Sequence, residues 1–387
     1  MFTRSIKVNK NKSFLLLGPR GTGKSTWIRQ EFSGAIFVDL LDPESYTSLL
    51  ASPGALNHII PKRHKDWVVI DEIQRVPELL NVVHQLIESR KLRFALTGSS
   101  ARKLRRSGTN LLAGRALTYK MFPMTAAELG DAFDLKTSLR SGHLPSVFSE
   151  TDPGKYLASY VQTYLREEVF QEGLTRNIAG FSRFLQAASY SQAATLNITD
   201  VARDCEVDRK VVEGYFSILE DLQIASRLPV FTKRAKRKTV AHPKFYFFDT
   251  GVYQAIRPKG PLDHRDVIPG AALETLVFQE LSAVMSYLDN GDELYYWRTT
   301  AKQEVDFIVY GPSGLVAIEV KSNRKLDRAD LRSLREFRAD YPIARCFAFY
   351  GGEKNMEMDG IQILPVEQAL RALASIISNS HSHGRDS

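Results

Sequence analysis

Residues 18–26 read GPRGTGKST and follow directly on the apolar run Phe14-Leu15-Leu16-Leu17. The stretch fits the spacing G-x-x-x-x-G-K-[ST], with Gly18, Gly23, Lys24 and Ser25 on the fixed positions. The chemistry needs those residue types. Glycines let the backbone curl until several N–H groups point inward at one anion. Lys24 supplies a positive charge to the β and γ phosphates of ATP, and Ser25 a hydroxyl for Mg²⁺. A helix starting near Lys24 turns its positive end to the same anion. Gly18, Pro19, Arg20, Gly21, Thr22, Gly23, Lys24, Ser25 and Thr26 are therefore the expected ATP-binding loop. An ordinary Gly-rich turn is the competing reading, and the apolar strand leading into the loop argues against it.

Working outward, AIFVDL (35–40) reads as a short buried strand and DWVVIDEIQ (66–74) as a second. Trp67 to Ile70 are apolar without alternation, as in a parallel strand covered on both faces. Asp71 and Glu72 fall at its carboxyl end, where open α/β sheets bind ligands. Asp71 is placed to hold Mg²⁺ and Glu72 to orient or deprotonate an attacking water. RFALTGSS (93–100) is a third strand, which brings Thr97 or Ser99 to a γ-phosphate sensor position. Arg115, in LLAGRALTYKMFPMTAAEL (111–129), is placed to report hydrolysis, and Arg102 competes for that role. Either arginine can serve its own chain or a neighbour's, so a homo-oligomer is compatible with the reading.

A length of 387 residues points to two or three domains, and 43% hydrophobic with 25% charged residues is ordinary for a soluble globular chain. Two cysteines, Cys205 and Cys346, make no disulfide framework, and a reducing compartment is the simpler expectation. No apolar run approaches the length of a membrane span, and the N-terminus MFTRSIKVNKNK lacks the apolar core of a signal peptide. The expected location is the cytoplasm, with no membrane partner. A net charge of +8 suits a nucleic-acid partner without establishing one.

The expected layout is a P-loop α/β domain over 1–150, a helical winged-helix segment over 151–240, an α/β domain over 241–375 and a disordered tail over 376–387. In the middle, Tyr156, Tyr160, Val161, Tyr164 and Leu165 recur at helical spacing, as do Phe181, Phe184, Leu185 and Ala188. Thr199 is expected to cap the helix DVARDCE, and Asp208 to cap RKVVEGYFSILEDL after a tight turn, a helix-turn-helix cadence. IASRLPVF and KFYFF then read as two strands with a basic tip, a wing. In that reading Arg209 and Lys210 begin a recognition helix, and Lys233, Arg234, Lys236, Arg237 and Lys238 meet DNA phosphates. The competing reading makes this module a packing or protein-contact element, and the acidic residues Asp200, Asp204, Glu206, Asp208 and Glu213 count against a deep groove fit.

The C-terminal third holds the helix GAALETLVFQELSAVM, with Leu273, Val277, Leu281 and Met285 on one stripe and Glu274 beside it. LYYWRT, EVDFIVY and LVAIEVKS read as strands, the last two joined as a hairpin through Gly311-Pro312-Ser313-Gly314. Glu319 and Lys321 share a face, and Asp306 can sit opposite. Two carboxylates and a lysine so placed form a Mg²⁺-dependent phosphodiesterase arrangement. In it Asp306, Glu319 and the carbonyl of Val320 hold the metal, Lys321 activates water, and Glu274 completes the shell.

GPRGTGKST, VVIDEIQRVPEL, FALTGSS and LLAGRALTYKMFPMTAAEL together resemble AAA+ type P-loop ATPases. KFYFFDTGVYQAI (244–256) and GAALETLVFQEL (270–281) narrow the resemblance to the bacterial and archaeal ATPases with a C-terminal domain of unknown function. That resemblance covers almost the whole chain. It implies an ATPase core, a winged-helix-like segment and a nuclease-like C-terminal fold of the restriction-endonuclease type. EVDF at 304–307 and EVK at 319–321 are similar to the PD-(D/E)XK nuclease superfamily. The expected function is ATP-dependent processing of DNA, sequence-independent or selective for branched structure, with endonuclease activity left open. The alternative is an ATP-driven regulatory switch on protein partners, with a catalytically silent C-terminal domain.

Overall fold

The computed structural model describes residues 2–99, 104, 112, 114–165, 177–235, 237, 239–240, 242–258, 260 and 270–378. Arg102, Lys236, Lys238 and the end of the polar tail lie outside the described residues. The chain forms two compact units. One is Arg4–Phe122 with Ile218–Ile224; the other is Met1–Thr3, Pro123–Ser217 and Ala225–Ser387.

The first unit is built on five strands: β1 (Ser13–Leu17), β2 (Ile36–Asp39), β3 (Trp67–Asp71), β4 (Arg93–Gly98) and β5 (Ala116–Lys120). They pair in the order β2-β3-β4-β1-β5, parallel throughout. Every residue of β1 and β3 is buried, as the unbroken apolar runs require. Leu15, Leu17, Val38, Val68, Ile70 and Leu96 pack with Val83 and Leu86 of the helix Leu79–Arg90 into one core. Because β4 lies between β1 and β3, the carboxyl ends of all three meet at one edge. There Leu17 aligns with Gly98, and Ile70 with Leu96.

The second unit begins at Pro123, not at the expected break near 150. The reason is a set of long-range bonds that the sequence pattern does not display. The Ala126 N–H donates to Glu280, the His143 N–H to Asp249, and Arg371 to the carbonyl of Gly130. The helices Ile178–Ser189, Ile198–Cys205 and Arg209–Asp221 follow. The expected apolar positions Phe181, Phe184, Leu185 and Ala188 are all buried. Phe184 meets Tyr215 and Phe216 at 5.1 and 4.9 Å between ring centres, and Phe216 meets Phe245 at 5.1 Å. Asp208 caps its helix as expected, accepting from the Lys210 N–H at 2.8 Å. Thr199 does not cap: Asn197 accepts from the N–H groups of Thr199 and Asp200, so the helix starts earlier than its polar sequence indicates.

Strands β6 (Ala194–Thr195), β7 (Ala225–Leu228) and β8 (Lys244–Phe247) form a small antiparallel sheet in the order β6-β8-β7. A six-stranded sheet closes the unit: β9 (Glu293–Arg298), β10 (Glu304–Gly311), β11 (Gly314–Lys321), β12 (Arg345–Tyr350), β13 (Met356–Met358) and β14 (Ile361–Pro365), in the order β13-β14-β12-β11-β10-β9. The β10–β11 hairpin turns on Gly311 and Gly314 as expected.

β7 and β8 pair as the two strands of the expected wing, and the described residues between them reach a further strand. The Phe231 N–H bonds the Tyr296 carbonyl and the Val240 N–H the Arg298 carbonyl, so these two residues between β7 and β8 are held to β9. Phe231 is 1% exposed and packs with Trp297 and Phe337 under the six-stranded sheet. Phe231, just before the basic run, is an apolar anchor, since burying a Phe outweighs leaving it in water.

Candidate nucleotide site and C-terminal ion cluster

In the first unit the loop after β1 curls as its glycines allow. Gly21 and Gly23 take φ of 83° and 88°, a region costly for residues with a Cβ. A Cβ on Gly18 would overlap the Met121 carbonyl oxygen, so only glycine fits there. The helix Lys24–Glu31 starts straight from Gly23 without a side-chain cap, which leaves its first N–H groups facing the loop. Lys24 is 4% exposed, and its ammonium donates to the carbonyls of Gly18 at 2.8 Å and Pro19 at 3.1 Å. Arg20 and Thr26 stand exposed, while Thr22 is buried and bonds back to Pro19. Arg4, which the sequence reading passed over, donates to the carbonyls of Thr22 and Phe122 and pins the loop from behind.

Asp71 gathers the remaining groups. Ser25 Oγ donates to Asp71 Oδ1 at 3.1 Å, and Thr97 Oγ1 donates to the same oxygen. Thr97 also accepts from the Glu72 N–H at 3.1 Å and is fully buried, so it braces Asp71 and Glu72 together. A curled glycine loop, a helix N-terminus, a lysine and a serine–aspartate pair are the donor set that a nucleotide and its Mg²⁺ require. Glu72 adopts φ 60°, ψ 46°, the left-handed region that non-glycine residues avoid. Its carboxylate accepts from Gln74 Nε2, which also donates to Ser99 Oγ at 3.1 Å. Gln74 is thus a functional neighbour that sequence reasoning missed, and its only signal was the position two residues past the acidic pair. Arg115 is placed elsewhere: it is ion-paired with Glu88 of the helix Leu79–Arg90.

In the second unit the hairpin register sets Asp306, Glu319 and Lys321 near one another, and Glu274, on the helix Gly270–Leu288, reaches Asp306 through Lys244. Phe307 faces Ile318, which sets Asp306 opposite Glu319. Between Val305 and Ile308 the pairing of β10 with β9 slips by one residue, a bulge that re-aims Asp306. Asp306 Oδ2 accepts from the Val320 N–H at 2.9 Å. Lys321 Nζ lies 2.7 Å from Glu319 Oε1, while Glu319 Oε2 is buried without a hydrogen-bond partner. The residue the sequence reading overlooked is Lys244, read there only as the start of the wing's return strand. Its Nζ lies 2.7 Å from Glu274, 2.5 Å from Glu304 and 3.3 Å from Asp306, at 1% exposure. The Tyr246 hydroxyl donates to Glu274 at 2.5 Å, and Arg298 pairs with Glu304 at 3.2 Å.

Burial and electrostatics compete across this cluster. Burial, reinforced by the charge of Asp306, lifts the Glu274 carboxyl to about 7 against the pull of Lys244. Burial and Asp306 likewise push Glu319 well above the usual carboxylate range, against Lys321. For Lys244 burial alone would favour the neutral amine, but Asp306, Glu274 and Glu304 outweigh it and hold the charge. Among the described residues, no group of three or more His, Cys, Asp or Glu side chains is arranged to hold a metal ion. The expected metal shell of Asp306, Glu319 and Glu274 is not what the structure presents, because an ammonium joins Glu274 to Asp306.

Of the expected phosphate contacts, Arg209 pairs with Glu213 at 3.3 Å, and Arg237 pairs with Glu336 at 2.8 Å and Asp340 at 2.7 Å. Lys210, Lys233 and Arg234 are exposed. No helix among the described residues is long and apolar enough to cross a membrane.

Comparison with known proteins divides the chain in three. Residues 10–130 match the family described as AAA domain, while residues 132–263 and 269–369 match two domains of unknown function. No curated protein matches the chain. Among solved structures the chain is similar to the Orc1 protein of Aeropyrum pernix, solved in complex with DNA, at 15% identity over 63% of this chain and 86% of that one. The TM-score of 0.26 is too low to equate the two folds. The phosphate-binding loop, the parallel sheet and the family match agree that residues 10–130 form a P-loop domain of the AAA type.

Proposed function

We propose that this protein binds ATP with Mg²⁺ at residues 18–26 and hydrolyses it, and that the cycle switches a DNA-handling second unit. The observation that carries the reading is the convergence of Ser25 and Thr97 on Asp71 at the end of β3, with the Glu72 N–H held by the same Thr97 hydroxyl. The Gly18–Ser25 backbone and Lys24 would hold the phosphates, and Ser25 with Asp71 the magnesium ion. A magnesium ion held there would neutralise charge on the phosphates during hydrolysis. Glu72 then orients a water and takes its proton, while Gln74 holds the carboxylate in place. Mutating Glu72 to Gln tests this: nucleotide still binds and turnover collapses. Unchanged turnover would remove Glu72 from the reaction.

A DNA partner is supported by the net charge of +8 and by Lys210, Lys233 and Arg234, which stand exposed. The pairing of Arg237 with Glu336 and Asp340 favours the second reading, a switch on protein partners, because it removes one of the expected phosphate contacts. ATP turnover measured with linear, forked and four-way DNA separates the two. Stimulation by DNA supports the first, and indifference to all three supports the second. Nuclease action at Asp306, Glu319 and Lys321 is the finer part of the proposal. It is tested on end-labelled DNA beside Asp306→Ala, with no metal-dependent step assigned, since Lys244 stands among the ligands.

A further inference from the structure

We propose that Lys244 is the resident cation of the C-terminal cluster and keeps divalent metal ions out of it. Charge, geometry and burial all point this way, whether or not the P-loop hydrolyses ATP. Four carboxylates meet here: Glu274, Glu304, Asp306 and Glu319. A metal ion in a cluster of this kind must join Asp306 to the carboxylates around it. Lys244 already does so, with its nitrogen within 3.3 Å of three of them.

The charges nearly balance without a metal. Lys244 answers Glu274, Glu304 and Asp306 together, Arg298 answers Glu304 again, and Lys321 answers Glu319. Lys244 cannot swing into water to make room, because its side chain is 1% exposed and its backbone pairs with Thr195 on one side and Leu228 on the other. A divalent ion on Asp306 would stand close to this fixed ammonium, and two like-charged groups at such short range repel strongly in a buried site. One feature still invites a ligand: Glu319 Oε2 is buried and without a hydrogen-bond partner. Glu319 faces Asp306 across the hairpin, so removing the Lys244 charge would leave two buried carboxylates on facing positions with no ammonium beside Asp306 to repel a cation. The site is therefore a metal site closed by an internal cation. The ligand it would accept once opened is a hard divalent ion.

The test is Mn²⁺ binding to the full chain without nucleotide, read by calorimetry and by the EPR signal of free Mn²⁺. Four proteins isolate the site: wild type, Lys244→Met, Asp306→Asn, and the double variant that combines the two. Wild type should bind Mn²⁺ no more tightly than Asp306→Asn. Lys244→Met should gain one site at least ~100-fold tighter, the scale expected when a buried repulsion is removed. That site should vanish in the double variant. Because the P-loop is intact in all of them, any Mn²⁺ it takes is common to every protein and cancels. If Lys244→Met does not fold, as judged by circular dichroism, Lys244→Met with Glu274→Gln removes one of the negative charges left unpaired and takes its place. An Asp306-dependent site already as tight in wild type would overturn the proposal. So would a folded Lys244 variant that binds no better than wild type.

Discussion

At the scale of the residue, the proposed nucleotide site rests on a few side chains. Lys24 is the charged group of the loop that is buried against the phosphate cradle, whereas Arg20 stands exposed. Lys24→Ala should weaken ATP binding by about 10- to 100-fold, the value of one or two charge-assisted hydrogen bonds. A fluorescent ATP analogue titrated into the variant reads this directly. Glu72→Gln should leave that affinity within about threefold of wild type and lower turnover by ~10²–10⁴, as expected when a positioned base is removed. Steady-state phosphate release is the measurement. Gly18→Ala forces a methyl toward the Met121 oxygen, and should cost about 1–3 kcal/mol by urea denaturation together with most of the ATP affinity. The strained backbone of Glu72 belongs to the same scale. Its left-handed conformation persists because Thr97 accepts from the Glu72 N–H and Gln74 donates to the Glu72 carboxylate.

At the scale of the element, the strands were legible and the loops between them were not. β1, β3 and β4 fall where unbroken apolar runs place them, and the β10–β11 hairpin has the register that brings Asp306 opposite Glu319. Alternation and run length carry that information locally. The segment 229–243 shows the limit. Its basic composition reads as a wing tip, yet Phe231 and Val240 are held to β9 and Phe231 is buried beneath the sheet. Its lysines and arginines should therefore behave differently from one another. Arg237→Ala breaks pairs to Glu336 and Asp340 and should lower the melting temperature, whereas Lys233→Ala should leave it unchanged. If DNA is the partner, Lys210→Ala, Lys233→Ala and Arg234→Ala together should reduce the slope of log affinity against log salt by about 0.9 for each phosphate no longer neutralised. An unchanged slope would assign all three to solvent.

At the scale of the whole molecule, the second unit joins residues that lie far apart in sequence, and its ion cluster couples stability to pH. The Glu274 carboxyl is raised from an ordinary carboxylate value to about 7, so the folded chain holds a proton that the unfolded chain releases. Stability from this group is complete below about pH 4.5 and declines as pH rises toward about 7. The slope approaches about 1.4 kcal/mol per pH unit for one proton. Denaturant titrations at about pH 5 and about pH 7 should show a smaller fall for Glu274→Gln than for wild type. An equal fall would place the proton on another group.

The sequence alone was enough to locate the proposed nucleotide site, because the Gly-rich loop and the acidic pair of β3 are each contiguous and are placed by local spacing and strand polarity. It also determined which carboxylates of β10 and β11 face each other, since a two-residue repeat and a tight hairpin fix the register. The tertiary structure alone decided that Gln74 holds Glu72, that the second unit begins at Pro123, and that Lys244 stands among Glu274, Glu304 and Asp306. The physical reason is the same in each case. A buried charge or amide is placed by partners on other segments, and the chain's local pattern does not record which partners those will be.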